Sequence, residues 1–395
     1  MDRESTACWV WFQQLFGCGT ARVEEVLTHY PSPQALYNSS FSDLAASGVF
    51  KKQELARLSR ATLDDAYAIL DNCKRLGCRV LTPDHTEYPE SLRNIYSIPC
   101  ALYVQGELDG IDDRLAIGMV GTRHNSSYGR QAANTLSREL AACGVVVVSG
   151  LATGIDTVCH VGALKGGGRT IAVTGCGCDI NYPAANQELR RLIIKNGAVV
   201  SEYPTGTPPL AYHFPIRNRI ISGLSQGVVV VEGERRSGSL VTAGHALTQG
   251  RDVFAVPGSI FSPGSSGTHW LIRQGAVPVT CTQDILDEYL PLYADKLDTK
   301  PSAPAQADKP APIPAGEQEQ TAHAPRQQSA PNPPPLYLTG VQRQLYEQLA
   351  GGPQTVDSLT AALGVPVQAV LSALTQMEIY GLVSAHPGRK FSLAS

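Results

Sequence analysis

The pattern of apolar positions divides the chain into segments of different fold class. Residues 1–80 place apolar side chains at helical spacing, beginning with the run 9–16. Between 114 and 280, short apolar runs such as 145–148 and 228–231 alternate with stretches long enough for one helix. Strands that are apolar on both faces are typical of a parallel sheet covered by helices on both sides. The pattern therefore predicts a small helical domain followed by an α/β domain with a doubly wound, mostly parallel Rossmann-like sheet.

Proline and a second helical pattern mark the rest of the chain. Ten of the 27 prolines lie in 301–335, a segment with almost no large apolar residues. Such a segment cannot bury enough surface to offset its ordering entropy. After it, three helices (339–350, 355–363 and 367–380) and two short strands (383–384 and 390–393) form a winged-helix pattern. The predicted organisation is a helical domain at 1–80, a Rossmann-like core at 81–290, a Pro/Ala-rich disordered linker at 291–337 and a winged-helix domain at 338–395.

Composition excludes several classes of protein. The apolar run 141–148 is far shorter than the roughly 20 residues of a membrane span. The charged start, Met1 to Glu4, is unlike a secretory signal. The ten cysteines include no C-x-x-C pair, which favours reduced thiols over disulfides or a zinc site. We therefore expect a cytoplasmic protein with no membrane partner and no metal.

The formal net charge of −3 conceals an uneven distribution. From Arg114 to Thr280 there are 15 Lys and Arg against 8 Asp and Glu, a local charge of +7 that leaves −10 for the remainder. The predicted α/β domain therefore carries the basic excess that an anionic ligand requires.

Six strands are predicted in this domain, at 115–120, 145–149, 170–174, 198–202, 228–232 and 252–256. Ligands of open α/β sheets bind beyond the carboxyl ends of the strands. Five of these ends carry glycines and hydroxyl side chains before a helix N-terminus, an arrangement that holds phosphate. The candidate residues are Gly121, Thr122, Arg123, Ser127, Gly129, Gly150, Gly154, Gly175, Gly177, Ser237, Gly238 and Ser239.

Nucleotide motifs are incomplete in this sequence. Gly175-x-Gly177 follows a strand, but Ile180 occupies the place of the third glycine of a dinucleotide fingerprint. The P-loop, His-Glu-x-x-His and Gly-x-Ser-x-Gly motifs are also absent. No motif therefore supports a hydrolase or a dehydrogenase, and no cofactor is expected.

The segment 212–224 combines aromatic rings with cations. Phe214 precedes Arg217, Asn218 and Arg219, a mixture that single-stranded nucleic acid requires because cations meet its backbone and ring faces meet its bases. We expect Arg123→Ala or Arg217→Ala to weaken binding without unfolding the chain. A second interpretation stays open, in which Arg217 or Arg219 forms a structural ion pair with Glu202 or Glu232.

Several motifs together resemble the DNA-processing protein A (DprA/Smf) family. The matching segments cover about 85–280 in the family's order, and they are Gly121-Thr122-Arg123, Ser127-Tyr128-Gly129, Ser149-Gly150-Leu151-Ala152-x-Gly154-Ile155-Asp156, Tyr182-Pro183-x-x-Asn186, Phe214-Pro215-x-Arg217-Asn218-Arg219, Ser237-Gly238-Ser239-Leu240-x-Thr242 and Val253 to Gly258. The resemblance implies a non-enzymatic protein that binds single-stranded DNA, protects incoming strands in natural transformation and loads the RecA recombinase. It also implies a homodimer formed through the Rossmann-like domain.

By motif match, the resemblance implies a DNA pocket that includes Arg123, Phe214, Arg217, Asn218, Arg219 and the segment 237–239, with Ser149, Asn186 and Thr242 as further site residues. Two departures from the family pattern are visible. Thr122 stands where Ser is common, which keeps the hydroxyl. Ala184-Ala185 follows Tyr182-Pro183 where some members have a Lys, so a phosphate contact there is expected to be weaker.

The outer segments carry weaker signals. The segment 16–22 resembles the hairpin of a helix-hairpin-helix (or SAM-like) module, and a purely structural turn fits it equally well. In 365–380 the one charged residue is Glu378, whereas recognition helices usually present Arg, Lys, Asn or Gln to bases. We therefore expect the winged-helix domain to contact protein rather than DNA.

Two other functions remain open at this point. Pro257-Gly258-Ser259 and Gly267-Thr268 faintly resemble the loop of nucleotide-cleaving phosphoribohydrolases of the lysine-decarboxylase-like group. His269 follows Gly267-Thr268, however, and the next Glu is Glu288. An adaptor that acts only through its outer domains is the third possibility, although it would leave the polar strand ends unexplained.

Overall fold

The computed structural model contains two compact units, one before residue 308 and one after it. The residues that it describes are 2–297, 341–367, 370–371, 373–374, 377, 383–386 and 390–393. Most of the predicted linker, 298–337, lies outside the described residues. Residues 291–297, the first part of the predicted linker, belong to the folded unit. A helix continues to Tyr293, and Leu297 is buried in a core cluster. The folded unit therefore extends beyond the predicted boundary at 290.

Six helices form the N-terminal part of the first unit, as the apolar spacing predicts. They are α1 (Arg3–Phe16), α2 (Arg22–His29), α3 (Pro33–Tyr37), α4 (Phe41–Ala46), α5 (Lys52–Leu58) and α6 (Asp64–Arg75). Helix α1 packs against the sheet as well as against its neighbours. Gln13 Nε2 donates to the Ala101 carbonyl at 3.2 Å, and the Tyr103 hydroxyl donates to Gln13 Oε1 at 3.3 Å. Because these helices and the sheet share one apolar cluster, residues 1–80 are continuous with the α/β body.

The α/β body is built on a nine-stranded sheet in the order β1-β2-β6-β5-β4-β3-β7-β8-β9. Its strands are β1 (Arg79–Leu81), β2 (Leu102–Gly106), β3 (Ala116–Gly121), β4 (Val146–Ser149), β5 (Thr170–Thr174), β6 (Gly197–Ser201), β7 (Gly227–Glu232), β8 (Asp252–Ala255) and β9 (Val277–Pro278). Strands β3 to β9 are parallel, while β2 pairs antiparallel with β1 and β6. The predicted mostly parallel sheet is confirmed.

Both faces of the sheet are covered by helices. These are α7 (Glu90–Arg93), α8 (Ser127–Ala142), α9 (Ile155–Lys165), α10 (Gln187–Asn196), α11 (His213–Gly223), α12 (Gly238–Thr248), α13 (Ser266–Arg273) and α14 (Gln283–Tyr293). Successive strand residues point to opposite faces. Val146 and Val148 therefore meet α11 and α12 on one face, and Val145 and Val147 meet α8 and α9 on the other.

The strand order reverses between β3 and β7. From β3 the chain adds β4, β5 and β6 on one side, and it then returns to place β7 and β8 on the other. Loops that leave neighbouring strands in opposite directions open a crevice at the carboxyl edge. Loops from widely separated parts of the sequence meet at this crevice.

The second unit contains α15 (Val341–Leu349), β10 (Gln354–Thr355), α16 (Val356–Leu363), β11 (Val383–His386) and β12 (Lys390–Leu393). Residues 367, 370–371, 373–374 and 377 are helical, in agreement with the third predicted helix. Strand β12 pairs antiparallel with β10 and β11. Three helical segments with a small antiparallel sheet form the predicted winged helix, while the predicted turn at Pro387-Gly388 lies outside the described residues.

Candidate functional site

A crevice lies where the strand order reverses, at the carboxyl ends of β3 and β7. It encloses a cavity of about 380 Å³. Ten of the predicted site residues line it, and these are Gly121, Thr122, Arg123, Phe214, Arg217, Asn218, Ser237, Gly238, Ser239 and Thr242. The topology therefore gathers residues 121–123, 214–218 and 237–242 around one opening.

An aromatic ring and two guanidinium groups form the centre of the crevice. The guanidinium carbons of Arg123 and Arg217 lie 5.6 Å and 5.8 Å from the centroid of the Phe214 ring. The Phe214 ring also contacts Tyr182, with centroids 5.6 Å apart, and it packs over Gly175, where a Cβ atom would lie 3.0 Å from the ring. A cation beside an aromatic face is attracted to the ring by the ring quadrupole. The arrangement holds positive charge next to a partly exposed ring face.

The two arginines differ in their surroundings. Arg123 is exposed on the loop after β3. Arg217 is buried on α11, where its Nη1 donates to the carbonyls of Gly150, at 2.8 Å, and Val173. Burial lowers the pKa of Arg217, and the nearby carboxylate of Asp156 opposes that shift. Arg217 therefore ties α11 to the strand ends while contributing positive charge, whereas the Arg123 side chain is available to a ligand.

The loop after β7 supplies hydroxyl groups and a helix N-terminus. Ser237 Oγ and Ser239 Oγ lie 2.7 Å apart, and Asn218 Nδ2 donates to the Gly238 carbonyl at 3.1 Å. Asn218 therefore fixes the loop from which α12 begins. Hydroxyls and free amides at the start of a helix are suited to an anionic oxygen. This side of the crevice complements the arginine side.

Several predicted site residues support the crevice from outside it. Ser149 Oγ donates to the Met119 carbonyl at 2.6 Å, and Asn186 Nδ2 donates to the Leu151 carbonyl at 2.9 Å. Gly150 supplies a carbonyl to Arg217, and Gly177 lies tightly against Asp179 and Pro204. These four residues hold protein groups in place, and the structure places none of them on the wall of the crevice.

Ser127 and Gly129 begin α8, beside the crevice rather than in it. A Cβ atom at Gly129 would lie 2.0 Å from Glu232 Oε2, so this position needs glycine to accommodate that carboxylate.

Asp156 lines the crevice but is absent from the predicted site. Its Oδ2 accepts the Gly150 amide at 3.1 Å, and burial raises its pKa against the opposing effect of Arg217. Asp156 could have been predicted as a site residue from its place in the Gly154-Ile155-Asp156 motif.

Arg219 is placed away from the crevice, in a buried ion pair. Its Nη2 donates to Glu202 Oε1 at 2.7 Å, and both side chains are almost fully buried. This geometry favours the alternative of a structural pair, which the sequence left open, and the DNA contact at Arg219 stays a prediction. The reason is helical geometry, because residues two apart on a helix face different directions.

The hairpin at 16–22 contacts this ion pair. Cys18 Sγ lies 3.7 Å from the Glu202 carbonyl, and a Cβ atom at Gly19 would lie 2.4 Å from Ile216 Cγ2. Burial raises the pKa of Glu202, and Arg219 and the Gly19 amide oppose that shift. The turn is therefore packed against the α/β body, which supports the structural interpretation of this segment.

The backbone conformation at Gly154, beside the crevice, can be tested by substitution. Its φ of +87° is unfavourable for other residues, and a Cβ atom would lie 2.4 Å from the Thr122 carbonyl oxygen. We expect Gly154→Ala to lower the free energy of unfolding by roughly 1–2 kcal/mol. Gly244→Ala is the control, since its Cβ would meet nothing within 4 Å. Chemical denaturation measures both, and equal stability of the two variants would contradict the assigned backbone strain.

Other kinds of site receive no support in the described part of the chain. No cluster of three or more His, Cys, Asp or Glu in these residues could hold a metal ion. None of the described helices combines the length and apolarity needed to cross a membrane. None of the ten cysteines forms a disulfide, and seven of them are buried.

Comparisons with known proteins agree with these features. Residues 79–290 match the family described as DNA recombination-mediator protein A, and residues 327–389 match the DprA winged helix domain. Protein Smf of Escherichia coli is 41% identical over 310 residues, which span 78% of this chain and 76% of the relative. DNA processing protein DprA of Bacillus subtilis is 44% identical over 220 residues, which span 56% of this chain and 74% of the relative.

A solved structure shows the same architecture. The X-ray structure of DNA processing protein A from Streptococcus pneumoniae aligns with a TM-score of 0.58 at 39% identity, over 64% of this chain and 87% of that one. The matched family consists of recombination mediators and is not an enzyme family, which leaves the phosphoribohydrolase alternative without support. On the matches to both domains and to a relative that is 41% identical over 78% of this chain, this chain belongs to the DNA recombination-mediator protein A (DprA/Smf) family.

Proposed function

We propose that the crevice binds single-stranded DNA. The observation that carries this proposal is the Phe214 ring flanked by Arg123 and Arg217 within one open cavity. A base can stack on the ring while the guanidinium groups attract the neighbouring phosphates. The serines at 237 and 239 and the start of α12 offer further donors to a phosphate oxygen.

The geometry favours a single strand over a duplex. Stacking on Phe214 needs a base with a free face, and bases in a duplex already stack on their neighbours. Single-strand binders without sequence readout combine a cationic groove with aromatic platforms. The crevice has both, and the +7 charge of residues 114–280 supplies a long-range attraction.

The affinity for single strands should depend strongly on salt. Neutralising about four phosphates should give a slope near −3 in a plot of log affinity against log salt. Fluorescence anisotropy with a labelled single-stranded oligonucleotide measures this slope, and a duplex of the same sequence is the control. Affinity that is indifferent to salt, or equal for the duplex, would contradict the proposal.

We further propose that the protein mediates recombination as a homodimer in the cytoplasm, by protecting incoming DNA and loading RecA onto it. The family description as a recombination mediator supports this role. The Bacillus relative is named a DNA processing protein.

Adding the protein to RecA and to single strands coated with a single-strand-binding protein should speed filament formation. The measurement is the fluorescence change of labelled DNA as the filament grows. The uncoated strand is the control, since RecA reaches it without help. No acceleration on the coated strand would count against RecA loading, and sedimentation as a monomer would count against the dimer.

A further inference from the structure

A second cavity lies beside the crevice, at the ends of β7 and β8. Its volume is about 570 Å³. It is lined by Ser126, Tyr128, Glu232, Pro257, Gly258, Ser259, Ser262 and Ser265. This cavity opens on the same carboxyl edge of the sheet, and no residue of the proposed DNA site lines it.

The two cavities share their dividing walls. The loop after β3 places Thr122 in the crevice and Ser126 in the second cavity. Strand β7 likewise ends at Glu232 in the second cavity, and the loop after it places Ser237 in the crevice. A hydrogen bond joins the loop after β3 to the end of β7, since the Thr122 amide donates to the Glu232 carbonyl at 2.8 Å. The two cavities are therefore neighbours at the carboxyl edge of the sheet.

A buried carboxylate faces this second cavity. Glu232 is only 6% exposed, and its Oε2 accepts the Ser126 amide at 2.9 Å. Among the described residues, no donor is hydrogen-bonded to its Oε1, which lies beside Gly264. This oxygen retains accessible surface, so it can accept a hydrogen bond from a group in the cavity. A ligand that enters the cavity is expected to bring an N–H group to this oxygen.

The rest of the lining indicates a flat, polar, ring-shaped ligand. Tyr128 forms part of the wall, and its hydroxyl donates to the Pro257 carbonyl at 2.6 Å, which fixes the ring. The loop that carries the three serines at 259, 262 and 265 also exposes Ile260 and Phe261, which are 81% and 89% exposed. The exposed Phe261 ring is suited to base stacking, and Ile260 adds apolar surface beside it. A phosphate would be repelled by Glu232, whereas an amino-bearing base would not.

We propose that this cavity is a nucleobase subsite in which Glu232 accepts a hydrogen bond from the exocyclic amino group of cytosine. Carboxylates pair with the cytosine N4 amino group in DNA recognition, and thymine offers an acceptor at the same position. The inference rests on the proposed binding of single-stranded DNA and adds a base preference to it. The chain therefore prefers dC over dT at one position of the bound strand.

The test compares two pyrimidine homopolymers that stack on rings of equal size. Native full-length protein should bind (dC)20 roughly tenfold tighter than (dT)20, as expected for one charge-assisted hydrogen bond. In Glu232→Gln the ratio should fall to about one, because the amide keeps an acceptor for Ser126 but presents an N–H group to the base. The ratio isolates the hydrogen bond from the general gain in affinity that loss of a negative charge brings.

A modified DNA keeps the test independent of the variant's folding. Oligonucleotides of N4,N4-dimethyl-2′-deoxycytidine lack both N4–H donors, and native protein should bind them as weakly as (dT)20. Equal affinity of native protein for (dC)20 and (dT)20, or a preference that survives dimethylation, would overturn the base subsite. In those cases salt-dependent binding of both strands would leave the proposed function intact. Absence of binding to every single strand would overturn both.

Discussion

Replacing Arg123 by alanine is expected to weaken single-stranded DNA binding by roughly 10- to 100-fold. The Arg123 side chain is exposed and lies 5.6 Å from the Phe214 ring, so its charge is free for the phosphate beside a stacked base. A hydrogen bond to a charged group contributes about 1.5–3 kcal/mol, which corresponds to this range of affinity. Anisotropy titration at fixed salt measures the change, and the melting temperature should stay close to that of the native chain.

Arg273→Ala is the matched control. It removes the same charge from an exposed residue at the end of α13, where the helix has returned to the amino edge of the sheet. Affinity should change by less than about twofold, because screening weakens a charge this far from the strand. An Arg123→Ala variant that binds as well as the Arg273→Ala variant would contradict the assigned site.

Arg217 cannot serve for the same test, contrary to the expectation from sequence. Its guanidinium is buried and bonded to two strand-end carbonyls, so Arg217→Ala would disturb the packing of α11 as well as the charge of the crevice. Loss of binding in that variant would not separate contact from folding. The exposed Arg123 gives the cleaner measurement.

The sequence predicted the centre of the sheet accurately because that region follows one physical rule. Apolar runs such as 145–149 and 170–174 are buried on both faces, and the observed strands agree with all six predictions to within one residue. Strands β1, β2 and β9 escaped prediction. Strands β1 and β9 have only three and two residues and no apolar run, whereas β2 follows the apolar run 100–104, a signal that the prediction did not use.

The sequence predicted the site only in part, because it does not show the direction in which each side chain points. The motifs identified the loops, but they could not say which side chain turns toward the crevice. Arg217 and Arg219 are two residues apart on α11, and only Arg217 lines the cavity. Asn186 and Ser149 stand within motifs, but their polar atoms bond to protein carbonyls. A motif match therefore mixes ligand contacts with the residues that position them.

The largest expected loss of stability follows from breaking the Arg219–Glu202 pair. Arg219→Ala should lower the free energy of unfolding by about 3–5 kcal/mol, since it leaves the buried carboxylate of Glu202 without its partner. Arg191→Ala is the control, because it breaks an exposed pair with Glu188 and should cost about 0.5 kcal/mol or less. Urea denaturation followed by circular dichroism measures both.

The double variant Arg219→Met/Glu202→Leu separates charge from packing. Apolar side chains of similar volume avoid the desolvation of two ions, so most of the lost stability should return. Single-stranded DNA affinity of this folded double variant should then match that of the native chain, because Arg219 lies outside the crevice. A stable double variant with weakened DNA binding would instead return Arg219 to the set of DNA contacts. If the Arg219→Ala variant kept the native free energy of unfolding, the ion pair would not be what holds α11 against the end of β6.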